Sequence, residues 1–485
     1  MDQAIIDQVR AVLRDHGKLA TDAATLAPDA DLYAAGMTSH ASVNVMLGLE
    51  GAFDLEFPDR PAHPGVVPEH LGDRRGDRRD PRERRVSTVV GRRGGSAAFA
   101  EALAAARQCA EVARAHAGAV DRDARFPTEA FGALREAKLL SASVPAALGG
   151  MGLTVSEVSE LCLVLGRACA STAMVFAMHH IQIASIDRHR AGSAWFEAFL
   201  RQCVTRQLLI ASITSEVGVG GDMRSSVCGL EVDGERFTLR KRATTISYGA
   251  HADAWLATCR RTPDAAAGDQ VAVLLLPDGT TLTQTSQWDT LGMRGTCSPG
   301  FEVVAHGTRA QVLPEFPLVA SRTMVPYSHL VWGGVWLGIA SDAVDKARGY
   351  LRGEARKAPG KTPPVGLRVA ELTTELATAR ALLRDVARDV EDLFAEAALA
   401  PGADDELTTV AWALRLNQLK IATSQATFEL CTRALQIIGI AAYKVDGPLA
   451  LGRHVRDSLS ASLQIGNDRL HHTNAALLCV FKDEG

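Results

Sequence analysis

Apolar positions change their period several times along the chain. Up to about residue 58 they recur at helical spacing: Ile5, Ile6, Val9, Val12 and Leu13 share one face, and a polar loop leads to a second apolar helix expected from about Ser39 to Phe53. Residues 59 to 96 lose this pattern. They are rich in Arg, Pro, Gly and Asp with few large apolar side chains, so they bury too little surface to offset ordering entropy and read as a flexible linker. From Ala97 to about Leu209 the helical spacing returns, and "FPTEAFGALREAKLL" predicts a helix just after Pro127. Between 210 and about 316 the runs shorten to strand length: "RFTLRKRATTISYG", "DAWLATC" and "VAVLLLP" are punctuated by the turn sequences "VDGE" and "PDGT". Long amphipathic helices follow from Arg322, broken at "GEARKAPGKTPP" and "PGADDE".

The expected organisation is therefore a small helical module over 1–58, a linker over 59–96, a helical domain over 97–210, a β-barrel domain over 211–316 and a helical bundle over 317–485. The fold class is mainly α with a middle β-barrel. No repeat of fixed period is evident.

The formal net charge of −4 over 485 residues provides no basic field for nucleic acid or an acidic membrane. Nine scattered cysteines without a C-x-x-C pair predict reduced, mostly buried thiols and no zinc site. Acidic residues within the first helical pattern argue against a secretory leader, and no apolar run approaches membrane-spanning length. A cytoplasmic protein with neither nucleic-acid nor membrane partner is expected.

The stretch "DLYAAGMTSHASVNVMLGLEGAFDLEFPD" carries a Gly, two residues, a Ser and then an apolar helix ending in Leu49, Glu50, Phe53 and Pro58. A serine opening a helix suits an N-cap. In this register it also resembles the acyl carrier protein signature, which implies that Ser39 takes a 4'-phosphopantetheine arm. An anionic phosphodiester there is favoured by the helix N-terminus. Thr38 stands where the signature has an acidic residue, and the last carrier helix is replaced by the Arg-rich stretch.

Residues 97 to 485 resemble the acyl-CoA dehydrogenase family: helical N-domain, β-barrel and C-terminal four-helix bundle. "ITSEVGVGGD" matches the family's flavin loop, implying cofactor contacts from Thr214, Ser215 and Gly221. "ATTISYGAHAD" places Thr245 and Ser247 beside the flavin ring, and "WDTLGMRGTCS" matches the next barrel block. Arg356, in "EARKAPGK", falls where the family has an arginine reaching the cofactor of a neighbouring subunit, although Pro359 replaces its aromatic partner, and Gln436 and Gly439, in "ALQIIGIAAY", fall at the family's cofactor-binding Gln-x-x-Gly-Gly turn, with Ile440 for the second glycine. "GRHVRD" completes the bundle signature, and Asn467 falls among the cofactor residues. The resemblance implies FAD, a homodimer or homotetramer, and an electron acceptor such as an electron-transfer flavoprotein or oxygen.

The family removes an α-proton with a carboxylate while flavin accepts the β-hydride. Here the two family base positions hold Ile465, in "SLSASLQIGNDRL", and Ser328. The backbone N–H of Ile465 remains available for an oxyanion, but the proton acceptor must come from elsewhere. Asp468 lies about one helical turn on; its alternative is a salt bridge with Arg469 or Arg456. His179 and His180 sit on the apolar helix bordering the family's substrate cavity; their alternative is a hydrogen-bonded core. Tyr327 and Glu216 are further candidates.

The leading expectation is an FAD-dependent dehydrogenase acting on an acyl group tethered as a thioester to a carrier protein, its own or another, by α,β-desaturation in a polyketide or nonribosomal pathway. Alternatives are α-oxidation of a hydroxyacyl or aminoacyl thioester, flavin monooxygenation, and a carrier-presenting scaffold without catalysis. A flexible linker of this length spans roughly 30 to 36 Å, about the width of a domain.

Overall fold

A computed structural model describes residues 3–28, 30, 32, 35–37, 39–53, 96–357 and 362–481. The expected linker and the positions of Thr38, Pro58 and Pro359 lie outside the described residues. At the N-terminus α1 (Gln3–His16) packs against α2 (Ser39–Phe53) around Val12, Leu13, Ala41 and Val45. Seven buried or partly buried apolar side chains at helical spacing make this a small core of its own, as the periodicity predicts.

The helical layer that follows comprises α3 (Ala97–Arg122), α4 (Thr128–Glu136), α5 (Val155–Gly166), α6 (Ala170–His189) and α7 (Ala194–Arg206). Ser96 caps α3 through the Phe99 N–H, and Thr154 with Glu157 forms a reciprocal capping box on α5. α4 begins directly after Pro127, where the sequence places it. α6 is buried nearly all round, which fits its lack of a polar stripe.

Eight strands follow: β1 (Ile210–Ile213), β2 (Leu230–Asp233), β3 (Arg236–Ala243), β4 (Ala254–Arg260), β5 (Gln270–Leu275), β6 (Thr280–Gln284), β7 (Phe301–Thr308) and β8 (Val312–Leu313). They form two four-stranded sheets, ordered β1-β4-β5-β8 and β2-β3-β7-β6, in which only the β1–β4 pair is parallel. β4 and β5 are buried on both faces and read as continuous apolar runs, whereas β3 alternates, with Phe237, Leu239, Lys241 and Ala243 inward.

The C-terminal part has α8 (Phe316–Val319), a π-helical turn at Ala320–Met324, α9 (Val325–Lys357), α10 (Gly366–Leu399), α11 (Val410–Ile438), α12 (Ile440–Tyr443), α13 (Gly452–Leu463) and α14 (Asn467–Leu478). α9, α10, α11 and α13 pack as a bundle and α9 also crosses α5. At that crossing glycine is required by contact: a Cβ on Gly334 would lie 2.3 Å from Ser159 O, and one on Gly338 2.5 Å from Leu163 O. This close approach seats the N-terminal half of α9 deep in the molecule, with its buried face between α6 and α11. Among the described residues no helix is long and apolar enough to cross a membrane.

Candidate functional site

β1 ends at Ile213 and the chain turns outward through Thr214 to Asp222. What fixes this loop is Glu216, which folds back into the barrel. Its carboxylate accepts from the Cys228 N–H (2.7 Å), Ser226 Oγ (2.7 Å) and Lys241 Nζ (3.2 Å). Lys241 occupies an inward position of β3, and the two charged side chains are 0% and 2% exposed. Burial alone would raise the Glu216 pKa, but the lysine and the three donors prevail and hold it low. With both carboxylate oxygens engaged by three donors in a buried ion pair, Glu216 is an anchor of the loop.

Beyond this anchor, Gly218, Gly220 and Gly221 adopt φ of +100°, +60° and +76°. A Cβ on Gly218 or Gly220 would meet nothing within 4 Å, so the backbone forms an open cradle that a ligand can approach closely. Ser215 joins this loop to the end of β3, accepting from the Thr245 N–H (3.1 Å) and donating to Thr245 O (2.5 Å). Ser247 accepts from Ser298 Oγ (2.9 Å). Thr214, Ser215, Gly221, Thr245 and Ser247 thus lie along one partly exposed edge. Their hydroxyls and open glycines suit a polar planar cofactor carrying a phosphate. Such a group would be held by this edge.

A third segment, Gln464 to Arg469, connects α13 to α14 and meets that edge. Arg469 Nη1 donates to Gly221 O (2.8 Å), and Gln464 Nε2 points at Met174 Sδ of α6 (3.7 Å). Between them Ile465 adopts φ +50°, a left-handed conformation that costs a β-branched residue energy and must be enforced by its surroundings. The enforcing group is Lys420 of α11. Its Nζ donates to Ile465 O (2.8 Å) and to Asn467 Oδ1 (2.6 Å), while Asn467 Nδ2 donates to Ser424 Oγ (3.0 Å).

Lys420 is fully buried, and no carboxylate pairs with it among the described residues. Burial pushes its pKa down to about 8. Its ammonium sits 5.6 Å from the Trp336 ring centroid. Trp336, Trp332 and His329 share one face of α9, with ring centroids 6.3 Å and 6.1 Å apart in succession. The Trp332 Nε1, Trp336 Nε1 and His329 Nε2 atoms are buried without a hydrogen-bond partner among the described residues.

The candidates for the proton acceptor separate clearly. His179 Nε2–H donates to Leu140 O (2.6 Å) and its Nδ1 accepts from the Ile210 N–H (3.0 Å), so it ties α6 to β1. His180 donates to Leu139 O (3.1 Å) and accepts from Ser143 Oγ (2.7 Å). Both rings are spent on structural partners, and burial lowers the pKa of His179 to about 4 and that of His180 further. The geometry therefore gives them the core reading and no nitrogen to receive a proton. Tyr327 is buried with its phenol pKa pushed up by burial, and Ser328 Oγ donates to Val325 O (2.8 Å). Asp468 is exposed in the first turn of α14 and forms no ion pair among the described residues; Arg456 instead pairs with Asp121, and Arg469 with the glycine loop.

Arg356, Gln436 and Gly439 are not part of this assembly of loops. Arg356 and Gln436 are exposed, one in the last turn of α9 and the other near the end of α11, and Gly439 (φ +74°) precedes α12. Ile440, at 74% exposure, projects where the sequence pattern has a second glycine. α2 opens at Ser39 and touches α14. Lys420 and His329 were not singled out from the sequence. The available signal was a lysine on the buried phase of α11, alongside Leu416, Leu419 and Thr423, and a histidine one place beyond Ser328.

Comparison with known proteins follows the same division. Residues 99–207 match the acyl-CoA dehydrogenase N-terminal domain and residues 319–476 the C-terminal domain. The N-terminal module is 57% identical over 51 residues to an aminoacyl carrier protein of Agrobacterium fabrum, covering 10% of this chain and 61% of that protein. The large part is 30% identical over 260 residues to an L-evernosamine nitrososynthase of a Micromonospora species, covering 50% of this chain and 59% of that one. It is 25% identical over 371 residues to the probable FMNH2-dependent monooxygenase SfnC of Pseudomonas putida, covering 73% and 89%. The first two of these relatives are matched over about three fifths of their length. The fold is shared with FMN-bound TdsC of Paenibacillus sp. A11-2 at a TM-score of 0.68 and 21% identity, covering 78% of this chain and 96% of that one.

Proposed function

We propose, for a chain that belongs to the acyl-CoA dehydrogenase family, a flavin-dependent monooxygenase that oxygenates the amino group of an aminoacyl unit held as a thioester on its own carrier module. The observation that carries this reading is the absence of a carboxylate at both family base positions, Ile465 and Ser328, with the two core histidines committed elsewhere. Desaturation needs an acceptor for an α-proton; oxygenation of an amine does not, because the amine lone pair is the nucleophile. Reduced flavin with dioxygen supplies the oxygen atom and two electrons. The balance is one amine, one dioxygen and one reduced flavin giving one hydroxylamine, one water and oxidised flavin.

Similarity to a carrier protein named for aminoacyl groups, and to a nitrososynthase and an FMNH2-dependent monooxygenase, supports both halves of the reading. Ser39 is the attachment point for the 4'-phosphopantetheine arm. Tethering raises the effective substrate concentration to about the millimolar range when the linker reaches the site. The flavin we infer is FMN in place of the FAD first expected, since Ile440 puts a branched, exposed side chain where the resemblance has the second glycine of its cofactor turn. Arg356, Gln436 and Gly439 serve a neighbouring copy, and the exposed Ile440, Tyr443 and Val445 beside them suit a homodimeric or homotetrameric contact.

The test is intact-protein mass spectrometry. A phosphopantetheinyl transferase loads the chain from an aminoacyl-CoA, and FMN, a flavin reductase, NADH and air are added. The arm should gain one oxygen in the wild type, and the Ser39→Ala chain should take no arm. Flavin released by denaturation should chromatograph as FMN. Desaturation of a carrier-bound acyl group, with an electron-transfer flavoprotein as acceptor, is the second reading and rests on Asp468, which forms no ion pair among the described residues and lies near the Ile465 loop. It predicts loss of two hydrogens from an acyl arm without oxygen.

A further inference from the structure

Lys420 is an unusual residue to bury. A charged group removed from water costs several kcal/mol unless it is paired, and here the partners are one carbonyl, one amide oxygen and the face of an indole. Along the row of rings that starts at Trp336 beside it, three polar atoms, His329 Nε2, Trp332 Nε1 and Trp336 Nε1, are buried and unsatisfied among the described residues. Native interiors seldom leave such groups unmatched, and three together call for a ligand that completes them. An aliphatic acyl chain would leave all of them unmatched.

The protonation of His329 follows from its neighbour. Ser328 Oγ gives its proton to Val325 O (2.8 Å) and, in the tautomer we assign, accepts across the 3.1 Å contact from His329 Nδ1. His329 Nε2 is then a bare lone pair, on a ring that is 1% exposed. Burial, and after it the Lys420 ammonium, lowers the imidazole pKa to about 3, so it remains neutral. Neither side chain forms an ion pair with a carboxylate among the described residues. The pair adjoins the Ile465–Asn467 turn, and Arg469 links the far side of that turn to the glycine loop of the cofactor edge.

We propose that His329 and Lys420 form the amine subsite of this protein: His329 Nε2 accepts an N–H of the carried aminoacyl group, and the Lys420 ammonium disfavours its protonated form. Like charges a few ångströms apart in a low-dielectric site oppose one another strongly. The incoming amine is thereby kept as the free base, with its lone pair available to react, and the indole N–H groups are left for the thioester or pantetheine oxygens. Lys420 is also the positioning residue of the Ile465 turn. This inference rests on the aminoacyl reading of the preceding section.

The test uses the full chain with FMN, anaerobically, its Ser39 arm loaded with isotope-labelled glycine; where the arm does not load, glycyl-pantetheine in solution is the probe. NMR titration of the glycyl methylene reports the amine directly. The free-amine fraction at a given pH should be about tenfold higher in the wild type than in Lys420→Met, and Lys420→Arg should keep the wild-type value. In air with a reductase, His329→Phe should lower the hydroxylated product formed per NADH about tenfold, while His329→Gln, which retains an acceptor, restores part of it. An FMN absorption spectrum unchanged in each variant verifies the fold. Identical titrations in wild type and Lys420→Met, or unchanged coupling in His329→Phe, overturn the subsite. A wild type that binds and titrates the glycyl probe as described but never adds oxygen overturns the oxygenase reading and leaves the subsite standing.

Discussion

Two buried histidine sites, one on α6 and one on α9, look alike in the sequence and differ in their hydrogen bonds. His179 and His180 bind main-chain or hydroxyl partners through all four ring nitrogens. His329 uses one nitrogen and leaves the other without a partner among the described residues. Burial is nearly the same in the two places, so it does not separate structure from chemistry. Counting what each polar atom bonds to does, because a satisfied ring is part of the scaffold and an unsatisfied one is waiting for something.

The largest expected effect breaks the comparison on the scaffold side. His179→Ala strands the Leu140 carbonyl and the Ile210 N–H and opens a cavity between α6 and β1, for a loss of about 3 kcal/mol or more in denaturant unfolding. His329→Ala opens a cavity too and loses the Trp332 ring contact, but it strands only the Ser328 hydroxyl, so it should cost about 1–2 kcal/mol less than His179→Ala. Equal losses would remove the distinction drawn here.

Acid sharpens it. A histidine whose folded pKa lies below its unfolded value of 6.5 binds a proton only when the chain unfolds, so stability falls as pH drops from about 6.5 toward the folded value, about 4 for His179 and about 3 for His329. Each such histidine contributes a slope of about 1.4 kcal/mol per pH unit. His329→Gln should flatten the acid limb of a stability–pH curve by that amount without changing stability at neutral pH by more than about 1 kcal/mol. A curve with the wild-type slope would mean that His329 is charged in the folded protein. Lys420 has the same sign at the alkaline end: its folded value of about 8 against 10.5 means that the wild type gains stability as pH rises between the two, and Lys420→Met should not. At neutral pH Lys420→Met removes a desolvated charge but strands Ile465 O and Asn467 Oδ1, so its stability should lie within about 1 kcal/mol of the wild type.

Much of the architecture was legible because periodicity reports burial directly. The run "DAWLATC" became β4, "RFTLRKRA" became β3 and the apolar spacing after Pro127 became α4. The glycine loop was legible as a pattern, and the structure supplied its reason, the Glu216–Lys241 pair that anchors one end. Lys420 and His329 were not legible. Each acts through partners more than 40 residues away, Lys420 through Ile465 and Asn467 and across to His329, and sequence spacing has no access to which buried atoms end without partners. For the same reason "MHH" suggested chemistry to a reader of the sequence, while its hydrogen bonds made it scaffold.

The smallest expected effect separates the cradle from ordinary turns. Gly220 and Gly234 both have positive φ, +60° and +56°, and a Cβ on either meets nothing within 4 Å. Alanine at each position should therefore cost the same backbone strain, about 1 kcal/mol, since the left-handed conformation alone is being taxed. Gly234 lies in the turn between β2 and β3, away from the Thr245 edge, so its replacement should leave FMN affinity unchanged in a fluorescence titration. A methyl group on Gly220 would enter the space above the loop and should weaken FMN several-fold at an equal loss of stability. Matching affinities in the two variants would place the cofactor on some other surface of the barrel.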